Sequence, residues 1–420
     1  MMQDDSFARI AVEDWRQFGR IDIDLSSRLT ILTGANGTGK TTLVTLLGRH
    51  FNWSSAFVGL PVRSKDGRIT YLNGVKSATI LESGAAEIEN ASIGSLTYSN
   101  GQTSTLSVPT AGGGSNYDIT FSNQQSIPGL YLASHRSLSS YREVQAIPSQ
   151  FSASGQILQQ YIAELWQRWL GSYSQKSSML LMKESLLAAA IFSEGNSSVE
   201  GSSEAAEVWN GFQAVLRELM PSTLKFVRLA ARPPEIVVET RTGNFVIDAV
   251  SGGLSALLEV AWQIFLRSRE YSQFTVCMDE PENHLHPSLQ RSIIPSLLRA
   301  FPSVKFVVAT HSPFVVTSQP DANVYALDYD NGVAYSKLLD FADKSASAER
   351  TLREVLGVET TIPVWAEERF NEIIDRYAAL PVDQSSLIEL RGELEREGLG
   401  STLSQALNTL LPSIEGEGGK

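Results

Sequence analysis

The feature that most constrains this chain is a glycine-rich run that ends in lysine and threonine. It spans residues 34–41 and reads GANGTGKT. Glycines let the backbone close around an anion so that several N–H groups point at it. The apolar strand Leu29–Thr33 precedes the run, and the leucine spacing in Thr41–His50 predicts a helix whose positive end faces the anion. The run is therefore predicted to be a phosphate-binding loop.

Each polar group of this loop has an expected role. Lys40 is expected to reach the β- and γ-phosphates of a nucleotide, and the Thr41 hydroxyl to bind Mg²⁺. The alternative is a chance glycine turn, which the flanking strand and helix disfavour. The nucleotide-binding residues predicted in this segment are Asn36, Gly37, Thr38, Gly39, Lys40, Thr41 and Thr42.

A second feature is an apolar strand that ends in two acids. Phe274–Met278 is followed by Asp279 and Glu280. Because the carboxyl ends of parallel strands meet at one edge of a sheet, Asp279 is predicted to lie beside the loop and to bind Mg²⁺. Glu280 is predicted to polarise the attacking water. The alternative is a pair of solvated acids without a catalytic role, which is common at strand ends. The phosphate-binding loop predicted upstream favours the functional interpretation.

Two weaker features point the same way. Ser251, Gly252 and Gly253 begin a predicted helix, and a serine with backbone amides at a helix N-terminus can hold a γ-phosphate. The alternative is a simple turn. His311 follows the strand Val304–Ala309 and can hydrogen-bond a γ-phosphate. Its alternative is a structural histidine.

A metal site at Cys277, His284 and His286 is rejected. Cys277 lies inside a predicted buried strand and no further ligands cluster with it. Leu285 is expected in the core, with the two histidines on a loop near the site. Because Cys277 is the single cysteine, no internal disulfide can form, and a reducing, cytoplasmic setting is expected.

Composition narrows the classes of partner. The net charge of the 420 residues is -12, so nucleic-acid binding would need a local basic patch and is not indicated by bulk charge. The sequence offers neither a signal-peptide pattern nor a long uncharged apolar run, so no membrane role is expected. The acidic helical region after residue 361 is either a docking surface or a solvated helical pair.

Strands and helices alternate along much of the chain, which predicts an α/β fold with a mostly parallel sheet. Residues 57–131 are expected to form an antiparallel meander. The predicted organisation is an N-terminal lobe over 1–150, a helical insertion over 151–232, a C-terminal lobe over 233–345 and an acidic helical region over 346–420.

The order of these motifs resembles that of ABC-type ATPases. Residues 34–41 stand as Walker A, 251–253 as the signature, 279–287 (DEPENHLHP) as Walker B with the D-loop, and 310–313 (THSP) as the switch-histidine segment. The sequences of the 279–287 and 310–313 segments are similar to those of the OLD-like branch of these ATPases. Trp15–Phe18 resembles a strand turn of the recombination-repair, RecF-like branch, and the segment with Arg136 resembles one of the OLD-like branch.

The resemblance implies a fold and a shared site. The fold would be an ABC-ATPase-like P-loop fold with a mixed or parallel core sheet, an N-terminal antiparallel meander, a helical insertion and a helical C-terminus. Two chains would pair head to tail, with ATP and Mg²⁺ between Walker A of one and Ser251–Gly253 of the other. Glu280 would be the catalytic base, His311 the γ-phosphate sensor and Lys40 a catalytic contact, while Asn283 would face the partner. Leu254 departs from the signature pattern, where glutamine or glutamate is usual.

Three functions are compared. OLD nucleases carry a C-terminal Toprim domain, but Asp328–Asp330 is interpreted here as the last strand of the ATPase sheet. The chain instead resembles stand-alone ATPase subunits of anti-phage systems such as Septu and PARIS. We therefore expect an ATP-hydrolysing subunit that oligomerises and controls a separate effector, a nuclease or toxin. The alternative is a RecF-like DNA-repair ATPase that binds DNA directly; a transporter subunit is the third possibility.

Overall fold

The computed structural model divides into two compact units, residues 1–351 and 352–420. It describes residues 5–410 with gaps at 54, 64–66, 68, 76–89, 111–113, 136–140, 149, 173–175, 196–199, 341–343, 346, 359–362 and 380–383. Arg136 therefore lies outside the described residues. Among the helices that these residues form, none combines the length and apolar character that crossing a bilayer requires.

The first unit holds the strands. They are β1 Phe7–Glu13, β2 Phe18–Asp24, β3 Leu29–Gly34, β4 Phe57–Val58, β5 Leu60–Arg63, β6 Ile69–Leu72, β7 Asn90–Tyr98, β8 Thr103–Pro109, β9 Asn116–Tyr117, β10 Thr120–Phe121, β11 Gly129–Leu132, β12 Phe226–Arg232, β13 Glu235–Thr240, β14 Phe245–Val246, β15 Thr275–Asp279, β16 Lys305–Ala309, β17 Asn323–Asp330 and β18 Val333–Leu338.

The helices follow the same chain order. They are α1 Lys40–Gly48, α2 Ser154–Trp169, α3 Ser178–Ser193, α4 Ser203–Leu219, α5 Gly252–Glu270, α6 Pro287–Ala300, α7 Pro313–Val316, α8 Ala348–Glu354, α9 Val364–Ala378, α10 Gln384–Arg396 and α11 Leu403–Leu410. Short 3-10 turns follow α1 and precede α11.

One large mixed sheet organises the first unit. Its strand order is β10-β8-β7-β1-β2-β18-β17-β3-β16-β15-β11. The half from β17 to β11 is parallel, and β1, β2, β7, β8 and β10 pair antiparallel. This arrangement confirms the predicted α/β fold with a mixed core sheet, antiparallel N-terminal strands and helices.

The parallel half carries the most apolar strands. Every residue of β3 and β15 is buried, and so are four of the five residues of β16. Such runs are typical of parallel strands that are covered on both faces. Helix α1 packs against β3, β15 and β16, so the segment that follows β3 is held at the carboxyl edge of this half.

Three expectations about strands are corrected. The region 57–131 is not wholly an antiparallel meander, because β11 pairs parallel with β15 at the sheet edge. The insertion predicted as helical over 151–232 ends in β12, which pairs with β13 in a separate three-stranded sheet. Asp328–Asp330 does end a strand of the core sheet, but β18 follows and pairs with it. Alternation of apolar residues predicts a strand without identifying its partner, which explains the first of these differences.

Helices α2 to α5 form the helical part of the first unit. Helix α3 packs on α4, α2 packs on α5, and α4 also contacts α5 and α6. Helix α5 is buried along most of its length, from Leu254 to Leu266, which accounts for its apolar sequence. The predicted internal boundaries at residues 150 and 232 stay predictions.

The second unit is helical in its described residues. Helices α9, α10 and α11 pack around a small core to which Phe370, Ile373, Leu390, Leu394 and Ala406 contribute. Its surface carries ion pairs such as Arg376 with Glu393, which joins α9 to α10. Exposed pairs of this kind contribute little to stability, so the apolar core is what holds these helices together.

Candidate nucleotide-binding site

The glycine-rich loop joins β3 to α1 in a backbone shape that needs glycine. Gly37 and Gly39 have φ values of 83° and 100°, in the left-handed region. A Cβ at Gly39 would lie 2.3 Å from the Phe18 ring and 2.5 Å from Gln17 Nε2. The turn after β1 therefore packs directly against the loop, and a larger residue at this position would displace it.

Lys40 begins α1 and is folded back onto the loop. Its Nζ donates to the carbonyl oxygens of Gly34 and Ala35, each at 2.9 Å. The side chain is buried, and this burial lowers the pKa of Lys40 to about 8, against the opposing effect of Glu280 and Asp279. A phosphate placed in the loop would offer this ammonium a stronger partner than two neutral carbonyls.

Thr41 and Asp279 meet across the sheet although they are 238 positions apart in sequence. The Thr41 hydroxyl donates to Asp279 Oδ1 at 3.0 Å. A hydroxyl and a carboxylate oxygen are the hard ligands that Mg²⁺ takes together with phosphate and water oxygens. The two side chains therefore fit a magnesium ion bound with a nucleotide. Groups of three or more His, Cys, Asp or Glu side chains suited to a metal are absent from the described part of the chain.

Glu280 follows β15 in an unusual conformation. Its φ is 46°, which is uncommon for a residue with a side chain, and its N–H donates to the Ala309 carbonyl at 2.8 Å. Asn283 Nδ2 donates to Glu280 Oε2 at 2.8 Å and to the Ser134 carbonyl at 3.3 Å. Asn283 thus contacts the Glu280 of its own chain and links that carboxylate to the segment after β11.

His311 lies beside Glu280, in the segment that follows β16. Its Nε2 is 3.6 Å from Glu280 Oε1. Burial is the main cause that lowers the pKa of His311, and the nearby Lys40 charge lowers it further, while Glu280 opposes both. The imidazole is therefore neutral near pH 7, with one ring nitrogen available as a donor and the other as an acceptor.

Glu282 is a residue whose contribution sequence reasoning missed. Its Oε1 accepts the Thr310 hydroxyl and the backbone N–H groups of His311 and Ser312, the latter two at 3.0 and 3.1 Å. Burial is the main cause that raises the pKa of this carboxyl. The segment after β15 is thus tied to the backbone that carries His311. The sequence did contain a signal for this residue, because Glu282 is the third acid of the segment DEPE. Attention to that segment was limited to Asp279 and Glu280.

Tyr329 is a second contact that was not predicted. It lies near the end of β17, and its hydroxyl donates to the Gly37 carbonyl at 2.9 Å. Because β17 pairs parallel with β3, its carboxyl end reaches the loop that β3 leads into. The sequence had drawn attention to this segment only for its two aspartates.

The segment Ser251–Gly253 begins α5 and is separate from the phosphate loop. Ser251 is exposed, makes no capping hydrogen bond with its side chain, and the first turn has no acid. Among the described residues, the cavity at this helix start is lined by its own segment together with residues such as His284 and His286, not by the phosphate loop. The structure therefore brings together Lys40, Thr41, Asp279, Glu280 and His311, and leaves Ser251–Gly253 apart from them.

Packing explains two details of this segment. A Cβ at Gly253 would lie 2.6 Å from the His284 carbonyl oxygen, so glycine allows the helix start to approach the loop after β15. Leu254, which departs from the expected polar residue, is buried in the core. It therefore stabilises the helix by apolar packing and offers no polar contact.

The residues of the rejected metal reading have structural roles. Cys277 is buried within β15, where burial raises the pKa of its thiol. His286 precedes α6, and its Nδ1 accepts the Ser288 N–H at 3.3 Å as a helix cap. Leu285 is buried, as expected.

A buried ionic cluster lies just ahead of Ser251. Lys183 is fully buried on α3, and its Nζ is 3.0 Å from Asp248 Oδ2, pairs with Glu235 and donates to the Arg142 carbonyl at 2.8 Å. Removing one partner of such a cluster leaves an uncompensated buried charge, at a cost of about 3–5 kcal/mol. Lys183 thus anchors the strand end before α5. Sequence reasoning assigned this lysine no role.

Sequence comparisons identify the family of this chain and several of its relatives. Residues 29–317 match a family model described as "AAA domain, putative AbiEii toxin, Type IV TA system". The chain is 32% identical over 195 residues to the retron Ec83 probable ATPase of Escherichia coli, an alignment that covers 43% of this chain and 32% of that protein. It is 21% identical over 166 residues to a Septu protein PtuA of Bacillus thuringiensis, covering 36% of this chain and 42% of that one. The predicted resemblance to Septu ATPase subunits is thereby confirmed.

The similarity is partial in length. The chain spans 32%, 11%, 19% and 42% of the curated relatives that it matches. Among solved structures, the chain is similar to the SMC head domain of Thermotoga maritima, at a TM-score of 0.41 and 15% identity, covering 80% of this chain and 99% of that one.

Proposed function

Because the chain belongs to the family described as "AAA domain, putative AbiEii toxin, Type IV TA system", we propose that it is a Mg²⁺-dependent ATPase subunit of an anti-phage defence system. In this proposal it pairs with a second copy of itself and controls a separate effector, a nuclease or toxin. The single observation that carries the ATPase part is the hydrogen bond between Thr41 Oγ1 and Asp279 Oδ1 at 3.0 Å, with Glu280 and His311 beside it.

The roles follow from the positions of the side chains. The backbone of residues 34–41 and Lys40 would bind the phosphates, and Thr41 and Asp279 would hold Mg²⁺, which neutralises phosphate charge when bound. Glu280 would accept a proton from the attacking water. His311, neutral near pH 7, would donate to a γ-phosphate oxygen, and Glu282 would keep its backbone in place.

The second half of the site would come from another copy. Ser251 with the start of α5 has the features of an anion site, namely an exposed serine, a helix N-terminus and no acid in the first turn. In the proposed pair, this helix start would contact the γ-phosphate bound in the partner's phosphate loop. ATP binding would then promote assembly, and hydrolysis would release it.

ATP hydrolysis in the presence and absence of Mg²⁺ tests the ATPase proposal. We expect phosphate release from ATP that EDTA abolishes and that Asp279→Asn lowers strongly. Asp321→Asn, which changes an exposed acid before β17, serves as the matched control and should behave as wild type. Hydrolysis that is unchanged in Asp279→Asn would contradict the assignment of this carboxylate.

The defence role rests on the relatives, whose names are those of retron and Septu proteins. Co-expression with the neighbouring genes followed by affinity purification tests it, and recovery of a nuclease or toxin in stoichiometric amount is expected. Recovery of the ATPase alone, together with DNA-stimulated hydrolysis that weakens as salt rises, would instead favour the DNA-repair alternative.

A further inference from the structure

The paired strands β5 and β6, with the neighbouring β4, expose much apolar surface. Within the described part of the chain, β5 and β6 form a two-stranded sheet of their own, with Leu60 opposite Leu72. Two strands alone are marginally stable in water, and further packing is usually needed. We refer to the aliphatic residues of this region, which are 38–65% exposed, as the apolar patch: Val58, Leu60, Val62, Ile69 and Leu72.

The size of the apolar patch is that of an interaction site. Five aliphatic residues at these exposures present on the order of 400 Å² of accessible surface. Contiguous apolar patches of several hundred Å² are uncommon on soluble monomers and mark surfaces that bind a partner. Nothing in the ATPase chemistry proposed above uses these residues.

The apolar patch lies close to the phosphate loop. Directly after β6, the Gly74 carbonyl accepts the Arg16 N–H at 2.6 Å. The turn that contains Arg16 continues into Phe18, whose ring lies against Gly39 of the phosphate loop. A single turn of the chain therefore separates the end of β6 from the segment that is proposed to bind phosphate.

A concave apolar surface lies beside the other proposed half-site. The cavity at the start of α5 has a volume of about 940 Å³, and Ser251 is part of its wall. Among the described residues that line it, none is Asp, Glu, Lys or Arg. The cavity can therefore receive apolar side chains without burying a charge. Its apolar wall is formed by partly or fully buried side chains: Pro221, Leu224, Phe245, Val250, Leu254 and Leu289.

We propose that the apolar patch of one copy packs into the cavity at the start of α5 of a second copy. This inference rests on the proposed function, in which the phosphate loop of one chain faces Ser251 of the other. In such a pair, the patch beside the loop and the cavity beside Ser251 would lie opposite each other. The patch residues and the cavity wall are uncharged, so two chains of net charge -12 would meet there without repulsion between neighbouring charges.

The area of this contact fits what a stable dimer needs. A two-fold axis makes the contact occur twice, once for the patch of each chain. Each contact would cover on the order of 400 Å² of the patch and a similar area of the cavity wall, which gives about 1,600 Å² in total. Specific protein interfaces of standard size bury about 1,200–2,000 Å². The apolar contact would thus supply most of the surface that a stable pair has to bury.

Dissociation of the ATP-bound dimer tests this contact. In the Glu280→Gln background with ATP and Mg²⁺, Leu60→Asp should raise the dimer dissociation constant by about tenfold or more, because a charge replaces the most exposed patch residue. Leu60→Met keeps an apolar side chain and should pair as the background does. Leu170→Asp, at a position with 64% exposure after α2, is the matched control and should leave the constant unchanged. Mass photometry over a dilution series measures the constant.

Cross-linking identifies the surface that the patch contacts. The native Cys277 is buried, so introduced cysteines are the reactive ones. Leu72→Cys and Ala249→Cys, at exposed positions of the patch and of the cavity wall, are placed in separate chains, mixed, and treated with a short bismaleimide. We expect a product that joins one chain of each variant. A product that joins only two Leu72→Cys chains would show that the patch meets its own counterpart, and would overturn the proposal.

The outcomes are separable from those of the proposed function. If Glu280→Gln pairs with ATP and Leu60→Asp leaves that pair intact, this contact is overturned and the shared site stands. Loss of a co-purified effector in Leu60→Asp, with the dimer unchanged, would assign the patch to that effector and overturn the contact between copies. If Glu280→Gln stays monomeric with ATP but the mixed cross-link forms at higher protein concentration, ATP-dependent pairing is contradicted and the contact stands. If neither forms, both are overturned.

Discussion

The phosphate loop and the serine-glycine start of α5 are both shaped to hold an anion, yet they differ in how far the chain itself satisfies them. In the loop, Lys40 and Thr41 have hydrogen-bond partners within the chain, and Asp279 lies across the sheet to receive the hydroxyl. At the start of α5, Ser251 is exposed and caps nothing. The polar groups of the phosphate loop therefore already have partners within the chain, whereas the Ser251 side chain is exposed at the surface.

The difference follows from where the chain places each segment. The loop sits at the carboxyl edge of parallel strands, where β15, β16 and β17 bring side chains from distant positions to one point. Helix α5 is buried from Leu254 to Leu266, and its exposed start carries Ser251 and Gly252. In the proposed function, a site that needs both segments would be completed between two copies of the chain.

The largest expected effect comes from Glu280→Gln, which keeps the shape of the side chain and removes the proton acceptor. We expect ATP turnover to fall by about 10²–10⁴-fold because a general base is lost, while ATP still binds. Mass measurement with ATP and Mg²⁺ should show a stable dimer or larger assembly. A monomer under all nucleotide conditions would contradict the shared site.

A complementation experiment with two inactive variants separates the two half-sites. Ser251→Asp places a negative charge where the γ-phosphate would dock and should lower turnover by roughly 10²–10³-fold. Lys40→Ala disables the loop of its own chain. In a mixed pair, the intact loop of one chain faces the intact serine of the other, so mixing the two proteins should restore measurable turnover.

The matched control for that experiment is Ser272→Asp, an exposed position just beyond the other end of α5. It should hydrolyse ATP normally, since the added charge lies far from the helix start. If the mixture of Ser251→Asp and Lys40→Ala stays inactive while each variant is folded, each chain must form its site alone.

Sequence reasoning predicted best where the position of a residue follows from the end of a parallel strand. The loop 34–41 joins strand β3 to helix α1, as its neighbours indicated. Asp279 ends β15, and Glu280 and His311 lie just after the ends of β15 and β16. Parallel pairing brings such ends together by geometry. The assigned chemical roles of these residues remain predictions until they are measured.

It predicted least where a contact depends on tertiary packing. Glu282 is 29 positions from the His311 N–H that it accepts, and Lys183 is 65 positions from Asp248. Neither pairing has a spacing rule, because each depends on how loops and helices dock. The partner of β11 was missed for the same reason, since a short apolar strand pairs equally well in either direction.

A smaller effect is expected from substitution of Glu282. This change affects the half-site around the phosphate loop and leaves the start of α5 unaltered. Glu282→Ala removes the charged acceptor of three hydrogen bonds at Thr310, His311 and Ser312. We expect kcat to fall by about tenfold to a hundredfold as His311 loses its fixed position, with the KM for ATP little changed.

Glu282→Gln keeps an acceptor oxygen and should recover part of that loss. Glu218→Gln, at an exposed residue on α4, is the control for a change of charge alone. A lowered melting temperature with unchanged kcat in Glu282→Ala would mean that this carboxylate stabilises the fold without positioning His311.

The smallest expected effect is a pH dependence of ATP affinity that arises from Lys40. Burial holds the pKa of Lys40 at about 8 in the nucleotide-free protein, and bound phosphate would raise this pKa because it favours the charged amine. Affinity is therefore expected to be constant below pH 8, where the amine is already protonated, and to fall above it by at most about tenfold per pH unit, since binding must then take up a proton.

Calorimetry with a non-hydrolysable ATP analogue measures this slope. In Lys40→Arg the guanidinium stays charged throughout, so its affinity, although weaker, should not change with pH. A wild-type slope that the arginine variant shares would mean that the nucleotide or another group, and not Lys40, causes the pH dependence.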